Sequence, residues 1–406
     1  MVTVFNAKRL HLSPDRRMIY YLSLLGFFAI FSTTLSKSPV LPLFSRALGA
    51  DDAIIGLVSA FSPLAGILFS FPVGVLSDHF GRKRLLVASG AVFLIAPFLY
   101  LFINDPLCLI PVRFFHGTAT AILGPVISAI ISERFPEAKG EVLGQYSSST
   151  LVGRTLAPLT GGMILALFAG YPGLIPYRMV YILAGIAAIP VFVMVLRYQE
   201  VQSRPLAILR ISVFRDSLVR FLTDSRLRAT ASADMAIYFA YGALETFLPL
   251  VLLTQGIGVF LTGIIFSVQV LLIAGTKPFF GKLADRFDKR IQIIAGLLII
   301  SISLAAISLA TTFAGFLTSS VLFGLGLSLS SVATSAYIAD IAKPDQIGAS
   351  MGALSSIMDI GQTSGPVVTG ILIGIAGYRY GFLASFLLVV LVMAFFTVSV
   401  RDNRGG

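Results

Sequence analysis

Five charged residues lie inside long apolar runs of this 406-residue chain: Lys37, Arg113, Arg154, Glu245 and Asp359. Such placement is costly. A central Arg or Lys is charged roughly 2.5–3.5 kcal/mol on insertion scales, so an ionisable group there is read first as functional. The first half of the chain supplies the three bases and the second half the two acids. Two roles are open to Glu245 and Asp359. Each can be a proton site, because desolvation disfavours the charge on a carboxyl. Each can instead be a permanent strut, paired with Lys37, Arg113 or Arg154. The bases suit a small-molecule substrate with an anionic or zwitterionic group held by Lys37 and Arg154, or an amphiphilic one. Gln145, Tyr238, Tyr241, Gln269 and Gln362 either complete a pocket or serve as polar glue between helices. Asp234 and Lys277 stand near the ends of their runs and are expected to snorkel to the interface.

Other chemistries find little support. The three histidines, His11, His79 and His116, have no metal-ligand spacing, and there is no Gly-x4-Gly-Lys-Ser/Thr phosphate loop. No metal, no cofactor and no enzyme activity is expected, and nothing here would drive a pump with ATP. The formal net charge of +11 comes without a basic and aromatic stripe on a polar face, so no nucleic-acid partner is implied. Cys108 is the single cysteine. It excludes an intrachain disulfide and is expected to be a small buried hydrophobe.

The elements that position these residues follow from composition. Apolar residues are 56% of the chain and charged residues 12%, against about 45–50% and about 25% in soluble domains. The excess apolar surface is expected to face lipid. A bilayer core needs about 20 mostly apolar residues per helix, and twelve runs qualify: 18–43, 53–77, 84–104, 107–132, 141–169, 176–196, 230–254, 260–281, 291–313, 315–339, 347–376 and 379–400. The runs are continuous rather than alternating, so helices rather than strands are expected. The first is too long for a cleavable signal peptide and reads as an anchor. The long polar stretch from Arg197 to Arg228 reads as a linker able to form an amphipathic surface helix through Leu206, Leu209, Val213, Leu218 and Phe221.

Basic residues set the orientation. With the N-terminus inside, 23 of the 30 Lys and Arg fall on inner segments; three (Arg46, Arg178, Arg379) fall outside, and four (Lys37, Arg113, Arg154, Lys277) fall within spans. The expectation is a multi-pass protein of the cell (inner or plasma) membrane with both termini cytoplasmic. The organisation expected is a cytoplasmic N-tail (1–17), a six-helix bundle (18–196), a cytoplasmic linker (197–229), a second six-helix bundle (230–400) and a cytoplasmic C-tail (401–406).

The halves repeat each other. Leu41-Pro42-Leu43 matches Leu248-Pro249-Leu250, Gly49 and Gly56 match Gly256 and Gly263, and Gly74-x-Leu76-x-Asp78 matches Gly281-x-Leu283-x-Asp285, all at an offset of 207. Pro136 and Pro158 match Pro344 and Pro366 at 208. Parallel repeats with a midplane cavity between them are an architecture of secondary transporters. The fold class expected is therefore all-α integral membrane, with twelve transmembrane helices in two six-helix pseudo-symmetric bundles.

Three motifs carry a family resemblance. Gly74-Val-Leu-Ser-Asp78-His-Phe-Gly81-Arg82-Lys83-Arg84 resembles the loop signature between the second and third helices of the major facilitator superfamily. A second copy, Gly281 to Arg290, keeps Asp285 but has Asp288 in place of Gly81. Leu109-x3-Arg113-x2-His116-Gly117 resembles the family's fourth-helix motif, with His116 where Gln is usual. Gly144-x8-Gly153-x3-Ala157-Pro158-x2-Gly161-Gly162 resembles the antiporter motif of the fifth helix, with Ala157 where glycine is usual. Gly352-x8-Gly361-x3-Gly365-Pro366-x2-Thr369-Gly370 repeats it in the second half. Small residues at i and i+4 allow close helix approach in lipid, and proline frees a helix carbonyl and permits bending. The resemblance to the drug/proton antiporter (efflux) branch implies alternating access and a monomer. It assigns gating at the cytoplasmic face to Asp78, Arg82 and Asp285, proton coupling to Arg113, and helix packing to Gly153, Pro158, Gly161, Gly162, Gly361, Gly365 and Pro366. The expected function is proton-coupled efflux of a small organic solute; the alternative is proton-coupled uptake. A membrane receptor or enzyme on a transporter fold is the remote alternative.

Overall fold

In the computed structural model, residues 14–200, 219, 223–342 and 347–401 are described. Leu206, Leu209, Val213, Leu218 and Phe221 of the expected amphipathic stretch lie outside them, as does the side chain of Asp78.

The first half holds α1 (Pro14–Leu35), α2 (Val40–Ala47), α3 (Asp52–Phe80), α4 (Arg82–Leu99), α5 (Leu109–Arg134), α6 (Lys139–Leu167) and α7 (Ile175–Arg197). The second holds α8 (Ser225–Thr254), α9 (Val259–Arg286), α10 (Lys289–Leu309), α11 (Phe313–Ile341), α12 (Ile347–Ala376) and α13 (Tyr378–Arg401). No strand occurs among the described residues. Eleven spans, the first comprising α1 and α2, are long and apolar enough to cross a membrane by the described residues alone. The 30-residue α12 completes a set of twelve. Long helices joined by short connections alternate in direction, so six per half bring both chain termini to one end of the molecule. That end is called here the terminal end, and the opposite one the far end.

Where the expected spans meet the structure they differ in instructive ways. The run 18–43 is not one helix. It breaks over Ser36–Pro39, where the Ser38–Pro39 peptide is cis, and resumes as α2. Proline has no amide hydrogen to continue a helix ladder, and the amides of Lys37 and Ser38 both turn back to the Thr34 carbonyl at 3.0 Å. The third run ends in a short 3-10 turn over Tyr100–Phe102. A second turn, Pro106–Cys108, opens with Asp105 accepting from the Leu107 amide at 2.8 Å. Cys108 is exposed on that turn, not buried as its apolar neighbours suggest. Helix starts are capped by Asp51, Asp224, Asp288 and Thr312, whose side chains accept from free amides of the first turn. Gly81, between α3 and α4, sits at φ 87°, a left-handed conformation natural to glycine. Its counterpart Asp288 has φ −60° and caps α10 instead.

The repeat seen in sequence is also a repeat of contacts. A methyl group at Gly56 on α3 would strike the Pro366 carbonyl on α12, and one at Gly263 on α9 would meet the Pro158 carbonyl on α6 at 2.5 Å. Gly162 abuts the Val259 carbonyl, and Gly370 abuts that of Asp52. These are symmetry mates, and each joins one half to the other at the far end. Within the halves, Gly153 lies against the Phe27 carbonyl of α1, and Gly361 lies against the Met235 carbonyl of α8. Gly161 packs on Val40 and Leu35, and Gly365 on the Phe239 carbonyl. The motif helices α6 and α12 thus use one glycine face toward the first helix of their own half and another toward the opposite half.

The α6–α9 seam loosens away from the far end. On α6 and α9, Gly162 and Gly263 touch the opposite half, whereas Gly144 and Gly275, nearer the terminal end, have nothing within 4 Å. Along α6 and α9 the halves meet at the far end and part toward the terminal end.

Candidate functional site

A cavity of about 530 Å³ lies between the halves. All five charged residues singled out in the sequence line it: Lys37, Arg113, Arg154, Glu245 and Asp359.

Lys37 comes from the break between α1 and α2, which lets its side chain leave the helix line. Its Nζ lies 2.7 Å from Oε2 of Glu245, which is only 8% exposed on α8. Glu245 is thus ion-paired with a base of the first half in this state. Asp359 differs. It faces α3, where a Cβ on Gly66 would lie 2.8 Å from its Oδ2. No ion pair joins it to another described residue; Lys37 is the cation whose field reaches it.

Arg113 is 1% exposed. It donates to the Tyr100 hydroxyl at 3.4 Å, and His116 Nδ1 lies 3.5 Å from the same hydroxyl. Tyr100 stacks on Tyr181 with centroids 4.3 Å apart and planes 7° from parallel. Arg113 Nε, His116 Nε2 and the Tyr181 hydroxyl have no hydrogen-bond partner among the described residues. The α4–α5–α7 junction thus encloses a cation solvated by one phenol, with one side on the cavity.

Arg154, on α6, projects into open cavity space, and so does Lys277 on α9. Lys277 was expected to snorkel. It lines the cavity between the halves instead. Asp234 also departs from that expectation. It is 3% exposed and accepts a 2.8 Å hydrogen bond from Thr334 of α11. An apolar run shows a charge near its end but not which neighbour awaits it.

The polar candidates divide. Tyr238, Tyr241 and Gln362 line the cavity. Gln269 is buried with neither amide atom partnered among the described residues, and Gln145 is exposed, bonded to Glu141 at 3.1 Å.

At the terminal end, Arg82 is 4% exposed and ion-paired with Glu133 at the close of α5. Its amide donates to Glu200, just beyond α7. All three belong to the first half. In the second half, Asp285 is exposed and Lys289 pairs with Asp340 at 2.8 Å. At the far end, Arg46 pairs with Asp52, and the Tyr378 hydroxyl donates to Asp52 Oδ1 and accepts from Arg46, both at 3.1 Å. That trio, tying α2 and α3 to the start of α13, has no motif; only Arg46 and Asp52 six residues apart hint at it.

The Major Facilitator Superfamily model matches residues 22–210 and 230–405. An uncharacterised MFS-type transporter of Methanocaldococcus jannaschii is 26% identical over 89% of this chain and 93% of its own length. The bacillibactin exporter of Bacillus subtilis is 22% identical over 90% and 92%. A homologue of the multidrug resistance efflux pump PmrA from Lactococcus lactis is 21% identical over 94% of each. Among solved structures, a bacterial homologue of the human lysosomal transporter Spinster, inward-facing and unoccupied, superposes with a TM-score of 0.81 at 17% identity, over 96% of this chain and 98% of that one.

Proposed function

Since this chain belongs to the Major Facilitator Superfamily and is a membrane transporter, we propose that it expels a small organic solute in exchange for protons by alternating access. The observation that carries this reading is the seam geometry: symmetry-related glycine contacts close the far end while α6 and α9 part toward the terminal end. A cavity with one closed mouth, built on a pseudo-twofold, needs only a rocking of the halves to exchange its open side. The moving bodies are the bundles 18–196 and 230–400. The solute and coupling site comprises Lys37, Arg113, Arg154, Glu245 and Asp359.

With the basic linker and both termini in the cytoplasm of a cell-membrane protein, the present state opens inward. Arg82, which also bonds Glu133 and Glu200 of its own half, is then the basic member of a cytoplasmic latch. Asp78 and Asp285 supply the acids of its closed form. Coupling falls to Asp359. The charge of Glu245 is balanced by Lys37, so Asp359 is the carboxyl that can bind and lose a proton without breaking an ion pair. Efflux is supported by the exporter and efflux-pump names among the relatives and by the Gly153–Gly162 pattern on α6. One chain encloses the whole cavity, which supports a monomer as the working unit.

The test is flux in proteoliposomes reconstituted with the full chain, across a panel of organic solutes. A proton gradient directed against solute movement should drive the solute the opposite way to the protons. Accumulation along the proton gradient would establish the uptake alternative.

A further inference from the structure

Arg154 and Lys277 stand on adjacent helices from opposite halves. The helices are in register through Gly263 on Pro158 and through the Leu159 amide, which donates to Ser267 Oγ at 3.1 Å. From that level, Arg154 lies five residues and Lys277 ten residues toward the terminal end, about 7.5 and 15 Å at the helical rise. The axial gap is about 7.5 Å from the Leu159–Ser267 level and about 15 Å from the Pro158–Gly263 level. α6 rises from the terminal end and α9 descends to it, so Arg154 leans toward the terminal end and Lys277 away from it. Both face the cavity, and each lies within the other's electrostatic field.

Neither cation is ion-paired with an acid among the described residues. The nearby acids are otherwise placed. Glu245 is bonded to Lys37. Asp359 rests against Gly66 on the α3–α12 seam. Asp234 acts on Lys277 from a distance and receives its hydrogen bond from Thr334. Two like charges converging in a cleft are unfavourable unless an anion lies between them. Tyr241 and Phe266 line the same cavity, offering aromatic surface to an apolar body.

We propose that Arg154 and Lys277 form an anion subsite that takes the oxyanion head, carboxylate or phosphate, of a small organic solute whose apolar part lies against the tyrosines. Arg154 offers a planar fork for two oxygens and Lys277 a point charge. The subsite couples to transport geometrically, because its two cations belong to different halves. This rests on the cavity being the transport site. It also moves the anion contact from Lys37, which is spoken for by Glu245, to Lys277.

Isothermal titration calorimetry of the purified full chain with phenyl phosphate and with benzylammonium tests it. Phenyl phosphate should bind saturably in the millimolar range or tighter, weakening with added salt, and benzylammonium about ten-fold or more weakly. Arg154→Gln and Lys277→Gln should each weaken phenyl phosphate about ten-fold, and Arg154→Lys should lose less. Monodisperse elution of the variants checks their folding. Absence of phenyl phosphate binding, equal or tighter benzylammonium binding, or unchanged phenyl phosphate affinity in both neutral variants overturns the subsite. Flux separates the two readings. Anion binding lost in both variants, with no flux of any solute in the panel, overturns transport alone; flux of cations without anion binding overturns the subsite alone.

Discussion

Lys37 Nζ and Glu245 Oε2 lie 2.7 Å apart, and the bond between them crosses from the first half to the second within the cavity lining. It is therefore a bond that must break when the far end opens. Removing either partner should favour the far-open state by roughly 1–3 kcal/mol, a population change of about 5–150-fold, the usual size of such couplings. The check is labelling of a Thr34→Cys reporter in a Cys108→Ala background with an impermeant maleimide from the far side. Lys37→Gln and Glu245→Gln should label faster, and the exchange Lys37→Glu with Glu245→Lys should restore slow labelling. Unchanged rates in both single variants would show that the pair does not gate.

The glycine seams give a contrast within one protein. Gly56→Ala and Gly263→Ala put a methyl into the Pro366 and Pro158 carbonyls. Overpacking of this kind costs about 1–3 kcal/mol, so both variants should melt at lower temperature and open at the far end. Gly144→Ala and Gly275→Ala add a methyl where nothing lies within 4 Å. Alanine in a helix interior is favoured over glycine by roughly 0.5–1 kcal/mol, so these should be neutral or slightly stabilised. Thermal unfolding of the four variants side by side decides the matter.

The far-end trio should act as a weaker clasp. Tyr378→Phe removes the hydroxyl that bonds both Asp52 and Arg46 and leaves the ring in place. Each lost hydrogen bond is worth about 0.5–1.5 kcal/mol. The variant should show faster far-side labelling than wild type, yet slower than Lys37→Gln. A rate above that of Lys37→Gln would make Tyr378 the principal closure.

Much of this was legible in the sequence because lipid imposes long apolar runs, and because duplication leaves glycines and prolines in register. Gly56, Gly263, Pro158 and Pro366 could be matched by offset before any contact between them was known. What escaped depends on side-chain direction and on partners distant in the chain. Lys277 stands near the end of its apolar run, unlike Arg154 in mid-span, and that position does not show that it lines the cavity. Asp234 is buried because Thr334, 100 residues away, meets it. The break at Ser36–Pro39 was visible as a proline, yet apolar continuity on both sides masked it. Its consequence, freeing Lys37 to reach Glu245, needed the fold.

Asp359 is where coupling can be separated from movement. Asn is nearly the same size and is fixed without charge, so Asp359→Asn should preserve the packing against Gly66 while abolishing proton exchange. If Asp359 carries the coupled proton, the variant should no longer accumulate solute against its gradient when a pH difference is imposed. Solute-for-solute exchange across the same proteoliposomes should persist, since the halves can still rock with a permanently neutral side chain. Wild-type exchange driven by the gradient should fade as internal and external pH converge, and the variant should be indifferent to that difference. Glu245→Gln gives the comparison: it breaks the pair with Lys37 and should alter far-end opening, while leaving the response to a pH gradient in place. A variant Asp359→Asn that still concentrates solute under a pH gradient, while Glu245→Gln does not, would transfer the coupling role to Glu245.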